Sequence, residues 1–195
     1  METSQRILLV LLKDLTIRHT VSSLAKETGL SRVGVWKILK NLEAEKIVVL
    51  SPIGIGKTSV YSIGLSWNNI LTEKSIELLL AKEAQDNQRW LDNFKDLEKA
   101  ADFLVLFGSI MHSPKEAVDI DILIMADRHK FNDVHAILSR IQKIHAKKIH
   151  STNLTAMELR EELKKPNKAI VDALKKGIIL FGHKRFIKFV KGMNR

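Results

Sequence analysis

Two aspartates one residue apart, Asp119 and Asp121, lie in the apolar run Val118 to Met125, downstream of the pair Gly108-Ser109. Short apolar runs bounded by Gly or Pro predict buried strands, here Phe103 to Phe107 and the run through the aspartates. Strand side chains alternate, so Asp119 and Asp121 point to one face. Two carboxylates side by side on the lip of a sheet repel each other unless a cation sits between them. A hard divalent ion such as Mg2+, with oxygen ligands, suits that place. Gly108 lets the backbone approach a ligand closely. Ser109 supplies a hydroxyl and is expected to open a helix, whose free amides favour a phosphate. One short stretch therefore predicts a phosphate seat and a metal seat facing each other.

GS, a short connection and DID on a hydrophobic strand resemble the signature of the DNA polymerase β-like nucleotidyltransferase superfamily, in particular its minimal nucleotidyltransferase branch. LTAMELREEL, Leu154 to Leu163, is similar to a strand-to-helix stretch of that family. ALKKGIILFG, Ala173 to Gly182, resembles its closing helix and strand. The resemblance covers about the C-terminal half. It implies transfer of a nucleoside monophosphate from ATP or another nucleoside triphosphate to a hydroxyl of a protein or small molecule. Gly108 and Ser109 would grip the phosphates, and Asp119 and Asp121 would hold Mg2+. The family's third acid, on the next strand, aligns with His150 here, a side chain that can accept a proton. The connection also lacks the Arg-Gly common after GS and is one residue short of the frequent spacing. Glu116, Asp127 and Glu158 are further acids that could substitute. The resemblance raises a toxin–antitoxin setting with a protein partner.

These motifs need elements to position them. The chain has 195 residues, enough for two small domains or one medium one. No apolar run approaches the ~20 residues of a membrane span. The opening METSQRILLVLLKDL is interrupted by Lys13 and Asp14 and predicts a helix rather than a signal peptide. There is no cysteine, which excludes disulfides and thiolate zinc sites and fits a cytoplasmic protein. A net charge of +10 favours anionic partners, nucleic acid or nucleotides. The excess is shared: residues 1–67 carry nine basic and five acidic side chains, and His183 to Arg195 holds five basic residues and no acid.

In the first domain Ile7, Leu8, Leu11, Leu12 and Leu15 recur at helical spacing, predicting a helix over 3–15. Ser22 or Ser23 is expected to cap a second helix that Gly29 ends. Ser31 caps a third, to about Glu45, with Val35, Ile38, Leu39 and Leu42 on one stripe. Ile47 to Leu50 and Ser59 to Ile63 read as two strands. TVSSLAKETGLSRVGVWKILKNLEAEKIV resembles the winged helix-turn-helix family, whose third helix enters the major groove of double-stranded DNA. The outward face of that helix carries Ser31, Arg32, Lys37 and Lys40, with Trp36 beside it. Arg32 suits a guanine, Lys37 and Lys40 suit phosphates, and Lys57 and Thr58 at the wing tip suit a neighbouring phosphate. GIGKTS lacks the first Gly of a Walker loop and precedes a strand, so it reads as a glycine-rich wing.

Asn69 or Thr72 can cap a helix through Ala84, and a second helical run holds Trp90, Leu91, Phe94 and Leu97. Trp90 and Phe94 either form a dimer contact or pack on the second domain's sheet. A further helix near Asn132 to Ile144 turns Val134, Ile137, Leu138, Ile141 and Ile144 to the core. The tail's Phe186, Ile187, Phe189 and Val190 are expected to dock on their own domain. The other histidines, His112, His129, His135 and His145, read as surface or packing residues. The expectation is an α+β protein: a winged helix-turn-helix at 1–67, a helical connector at 68–101, and a small nucleotidyltransferase-like mixed α/β domain at 102–195. It is expected to be a cytoplasmic homodimer, with no membrane partner. The alternative is a non-catalytic transcription regulator whose second domain senses a ligand or mediates dimerisation.

Overall fold

A computed structural model describes residues 2–54, 60–164 and 168–193. The fold divides into two compact units, Met1–Leu79 and Leu80–Arg195. No helix among the described residues is long and apolar enough to cross a membrane.

In the first unit, α1 (Thr3–Lys13) buries Ile7, Leu8, Leu11 and Leu12 on one stripe. The start of α2 (Val21–Thr28) corrects the sequence expectation: the cap is Thr20, not Ser22 or Ser23. Thr20 is extended, its Oγ1 accepts from the Ser23 amide at 3.2 Å, and its amide donates to Ser23 Oγ at 2.8 Å. Ser23 is thus the reciprocal half of a capping box. α2 ends at Gly29, where φ is +72°. α3 (Arg32–Ala44), capped by Ser31, buries Val35, Leu39 and Leu42. Its end is a Schellman turn in which Lys46 takes the left-handed position at φ 58°. The Ile47 amide donates to Leu42 O at 2.8 Å and the Lys46 amide to Glu43 O at 2.9 Å. β1 (Val48–Ile53) and β2 (Val60–Leu65) form an antiparallel pair with Leu50 opposite Ile63. On the other side of β2, the Ile63 amide donates to His19 O at 2.8 Å. Three helices followed by this hairpin is the winged-helix order.

α4 (Ile70–Gln85) begins after Asn69, whose Oδ1 accepts from the Leu71 amide at 3.0 Å. Asn69 Nδ2 also donates to the free Glu45 and Lys46 carbonyls at the end of α3. Of the two candidate caps, Asn69 therefore takes the role, while Thr72 is buried inside the helix. The unit boundary falls within α4, so the stretch 68–101 is shared between the two units.

The second unit contains α5 (Gln88–Phe94), β3 (Phe103–Phe107), β4 (Asp119–Met125), α6 (Phe131–Gln142), β5 (Lys148–Leu154), α7 (Ala156–Lys164), α8 (Lys168–Lys176), β6 (Ile178–Phe181) and α9 (His183–Met193). The sheet order is β5-β4-β3-β6. β3 runs antiparallel to both neighbours, whereas β4 and β5 are parallel and joined through α6. β3 is buried along nearly its whole length, as expected for a strand covered on both faces. Leu104, Leu106, Ile120, Ile122 and Ile124 share a core with Phe94, Val134, Ile137 and Ile141. On the opposite face the Phe103 ring meets the edges of Phe186 and Phe189 at 5.2 and 6.0 Å. Phe186, Ile187, Phe189 and Val190 of α9 are buried, so the tail docks as expected.

Trp90 and Phe94 stack on each other and on His145, with ring centres 6.2–6.4 Å apart. Phe94 is fully buried, a burial contributing on the order of 2–3 kcal/mol. Packing on the sheet core is thus the outcome for this pair, in place of a dimer contact. Ile144 departs from the expected core stripe: α6 ends at Gln142, and Ile144 is 76% exposed.

Candidate functional site

Asp119 opens β4, and Asp121 follows two residues later on the same face. Burial alternates through this start: Asp119 and Asp121 are half-buried while Ile120 and Ile122 turn into the core. The parallel register of β4 and β5 places His150 directly beside Asp121. Paired positions of adjacent strands share a face, so all three side chains converge. His150 Nδ1 stands 3.2 Å from Asp119 Oδ2 and 3.9 Å from Asp121 Oδ1. One ligand-type atom from each of the three lies within 4.8 Å of the others. The Asp121 carboxyl is held above the ordinary aspartate range, first by burial and then by the neighbouring Asp119 charge, with His150 acting the other way. A site that raises a carboxyl in this way gains from a cation.

Gly108 follows the end of β3, whose last residue Phe107 pairs with Asp121. Its backbone sits at φ 83°, ψ −164°, a region essentially confined to glycine. A Cβ there would overlap the Asp121 carboxylate oxygen and stand 3.2 Å from its Cγ. Glycine is thus what lets the carboxylate lie against the backbone. Ser109 is exposed but opens only a three-residue 3-10 turn, Ser109–Met111, rather than a helix. The chain then turns through Ser113, held by bonds from the Glu116 and Ala117 amides, and Pro114 disfavours helix at the residue before it. The expected helix amides for a phosphate are therefore absent at Ser109. Beside Gly108, an open groove of about 360 Å³ is lined by Phe107, Ser109, Met111, His112, Asp172 and Lys176, among others. Lys176 pairs with Asp172 across 3.4 Å.

No family model matches the chain. No curated protein matches it either. Among solved structures it is similar to Lactococcus lactis ZitR, described as a zinc-responsive MarR family member, at 23% identity and a TM-score of 0.35. That alignment covers 51% of this chain and 66% of the other, just under two thirds of its length. A cysteine-to-serine mutant of ZitR aligns at 16% identity over 72% of each chain, with a TM-score of 0.34. Neither likeness shows a family for this chain.

The remaining acids are placed elsewhere. Glu158 accepts from the Thr155 amide and hydroxyl, both at 2.9 Å, and pairs with Arg128. The Thr155 amide bond, first among these contacts, lowers its carboxyl pKa. Glu158 is the reciprocal half of a capping box with Thr155 at the start of α7. Neither it, Glu116 nor Asp127 joins the three-residue group.

In the first unit, Arg32 and Lys37 are exposed on α3 and have no ion-pair partner among the described residues. Lys40 pairs with Glu43 and lies over the Trp36 ring, 5.6 Å from its centre. The Ser31 hydroxyl oxygen is engaged as the cap, accepting from the Gly34 amide at 3.0 Å. Trp36 is half-buried and tilts against Tyr61 of β2 at 5.6 Å. Thr20, Val21, Ser22, Trp36, Val60 and Tyr61 line an open groove of about 350 Å³. Lys57 and Thr58 lie outside the described residues. Sequence reasoning passed over Val33, 66% exposed on the same helix face as Lys37, and Tyr61 beneath Trp36. A helical wheel centred opposite Val35, Leu39 and Leu42 would have selected Val33.

Proposed function

We propose that this chain is a DNA-binding regulator whose second unit holds a nucleoside triphosphate through a divalent metal and transfers its nucleoside monophosphate to a hydroxyl. The observation that carries the second half is the placement of Asp119 and Asp121 on one face of β4, with Asp121 against the Gly108 backbone. Two half-buried carboxylates, one with a raised pKa, fit a divalent cation. Asp119 and Asp121 are the residues that would hold the divalent ion. When bound, such an ion neutralises charge on the triphosphate and on the pyrophosphate leaving group. Gly108 lets the Asp121 carboxylate lie against the backbone at the edge of the groove that would take the phosphates. The exposed Ser109 hydroxyl can donate to a phosphate oxygen, and the adjoining groove has room for the rest of the nucleotide. His150 stands beside both carboxylates, in the position of the third acid that the resemblance implies, and the proton of the attacking hydroxyl can pass to solvent at this exposed edge.

For the first half, the supporting observation is the exposed α3 face of Arg32, Val33 and Lys37, which in the winged-helix order is the face turned to the major groove. Val33 suits a thymine methyl and Arg32 a guanine edge. A homodimer belongs to the same reading. Leu71 and Leu78, seven residues apart on α4 and more than half exposed, are an apolar pair such an assembly can cover.

Label transfer from α-labelled ATP into a cell extract tests the chemistry. The reading expects a labelled acceptor with the intact chain and none with Asp119→Asn/Asp121→Asn. His150 in place of an acid favours a second reading, a sensor that binds without transfer; ATP binding with no labelled product would assign it. An electrophoretic shift on genomic DNA tests the other unit. Binding that weakens with salt and falls in Arg32→Ala and Lys37→Ala supports it, and no shift at low salt sinks it.

A further inference from the structure

We propose that His150 is a metal ligand, so that Asp119, Asp121 and His150 take a divalent transition ion, of the manganese, cobalt or zinc class, in preference to magnesium. The inference rests on the reading of Asp119 and Asp121 as a metal seat and adds the identity of the ion. Its geometric basis is the β4–β5 register, which fixes His150 beside Asp121 independently of side-chain rotation. Nδ1, rather than a ring carbon, faces both carboxylates, at 3.2 Å and 3.9 Å. Ligands on one ion, at about 2.0–2.2 Å per bond, stand roughly 3–4 Å from one another. The three atoms, within 4.8 Å, therefore need only small side-chain adjustments to close on one ion. His150 has room for them, because its side chain is 48% exposed on an edge strand.

The chemistry of the donor set decides the ion. Magnesium takes oxygen donors in near-ideal octahedra and keeps its waters. Imidazole nitrogen is a better ligand for later and softer ions. β5 supplies no carboxylate along Lys148 to Leu154, and Glu158 is engaged by Thr155 and Arg128. One nitrogen and two carboxylates is thus the set that the described residues offer, and its two negative charges match a dication.

The test uses the full chain in chelator-treated buffer. Co2+ is titrated while its visible absorption is followed, Mn2+ is titrated by electron paramagnetic resonance, and both are competed with Mg2+. Wild type is expected to bind Mn2+ and Co2+ at least roughly tenfold more tightly than Mg2+, and His150→Ala to lose at least about tenfold in Co2+ affinity with Mg2+ affinity unmoved. His150→Asp, which keeps a side chain at the exposed edge, is expected to shift the preference toward Mg2+. Unchanged Co2+ and Mn2+ affinity in His150→Ala, with binding still lost in Asp119→Asn, overturns the role of His150 and leaves the carboxylate seat standing. Unchanged affinity in Asp119→Asn as well overturns both.

Discussion

Replacing Gly108 by alanine disturbs the site at its tightest point. The residue sits at φ 83°, ψ −164°, where a side chain costs about 1–3 kcal/mol. The new Cβ also overlaps the Asp121 carboxylate oxygen and crowds its Cγ, so the carboxylate must swing away from its present place. Together these lower stability by about 2–3 kcal/mol, or roughly 6–12 °C in the unfolding temperature of that unit. The two causes separate in a double-mutant cycle, because Asp121→Ala removes the overlapping oxygen and Cγ while leaving the backbone strain. Of the three atoms nearest the new methyl, the Asp121 Cβ at 3.3 Å then remains. Scanning calorimetry of wild type, Gly108→Ala, Asp121→Ala and the double variant, in metal-free buffer, should show Gly108→Ala costing about 1 kcal/mol less when Asp121 is absent. An equal cost in both backgrounds would refute the argument that this glycine makes room for the carboxylate. Gly54→Ala, also at positive φ (93°) but with nothing near its would-be Cβ, is the control for strain alone.

Three further outcomes follow from local geometry. Lys46→Gly should stabilise the first unit by about 0.5–1 kcal/mol in chemical denaturation, since glycine removes the left-handed strain at φ 58°; a loss of stability would show that Lys46 contributes through its side chain. Thr20→Ala should cost about 1 kcal/mol by removing the α2 capping box, and Thr20→Ser should recover most of it. Because Asp121 has a raised folded pKa, its charged form destabilises the metal-free fold. That penalty is complete above the folded pKa and vanishes as pH falls to the unfolded value of about 3.9. Asp121→Asn should therefore unfold at a higher temperature than wild type at neutral pH without metal, with the gap closing in acid; a gap independent of pH would remove the electrostatic reading.

The positions of the elements were largely readable because burial follows periodicity. Val35, Leu39 and Leu42 at helical spacing gave α3, and the alternation of Asp119 and Asp121 with isoleucines gave their common face. What failed has local causes. Thr20 carries the cap because its own backbone is extended, which side-chain type alone does not distinguish from Ser22 or Ser23. Ile144 continues the apolar stripe in sequence but lies beyond the last turn of α6. The fate of Trp90 and Phe94 depended on tertiary packing, which amphipathic spacing cannot assign to one partner or another. β5 has no apolar alternation, since Lys148, His150, Ser151 and Thr152 are exposed on an edge strand. Its register with β4, and so the approach of His150 to the aspartates, was visible only through the family resemblance. The Ser109 turn is short because the bonds to Ser113 and the following proline redirect the chain, a tertiary detail that a Gly-Ser pair does not specify.

The central claim is that Asp119 and Asp121 join metal and nucleoside triphosphate in the second unit. Isothermal titration of ATP into the full chain, with and without divalent metal, tests it most directly. Binding is expected to require the metal and to disappear in Asp119→Asn/Asp121→Asn while the variant stays folded. Binding indifferent to both metal and carboxylates, or no binding with any divalent ion, would contradict it.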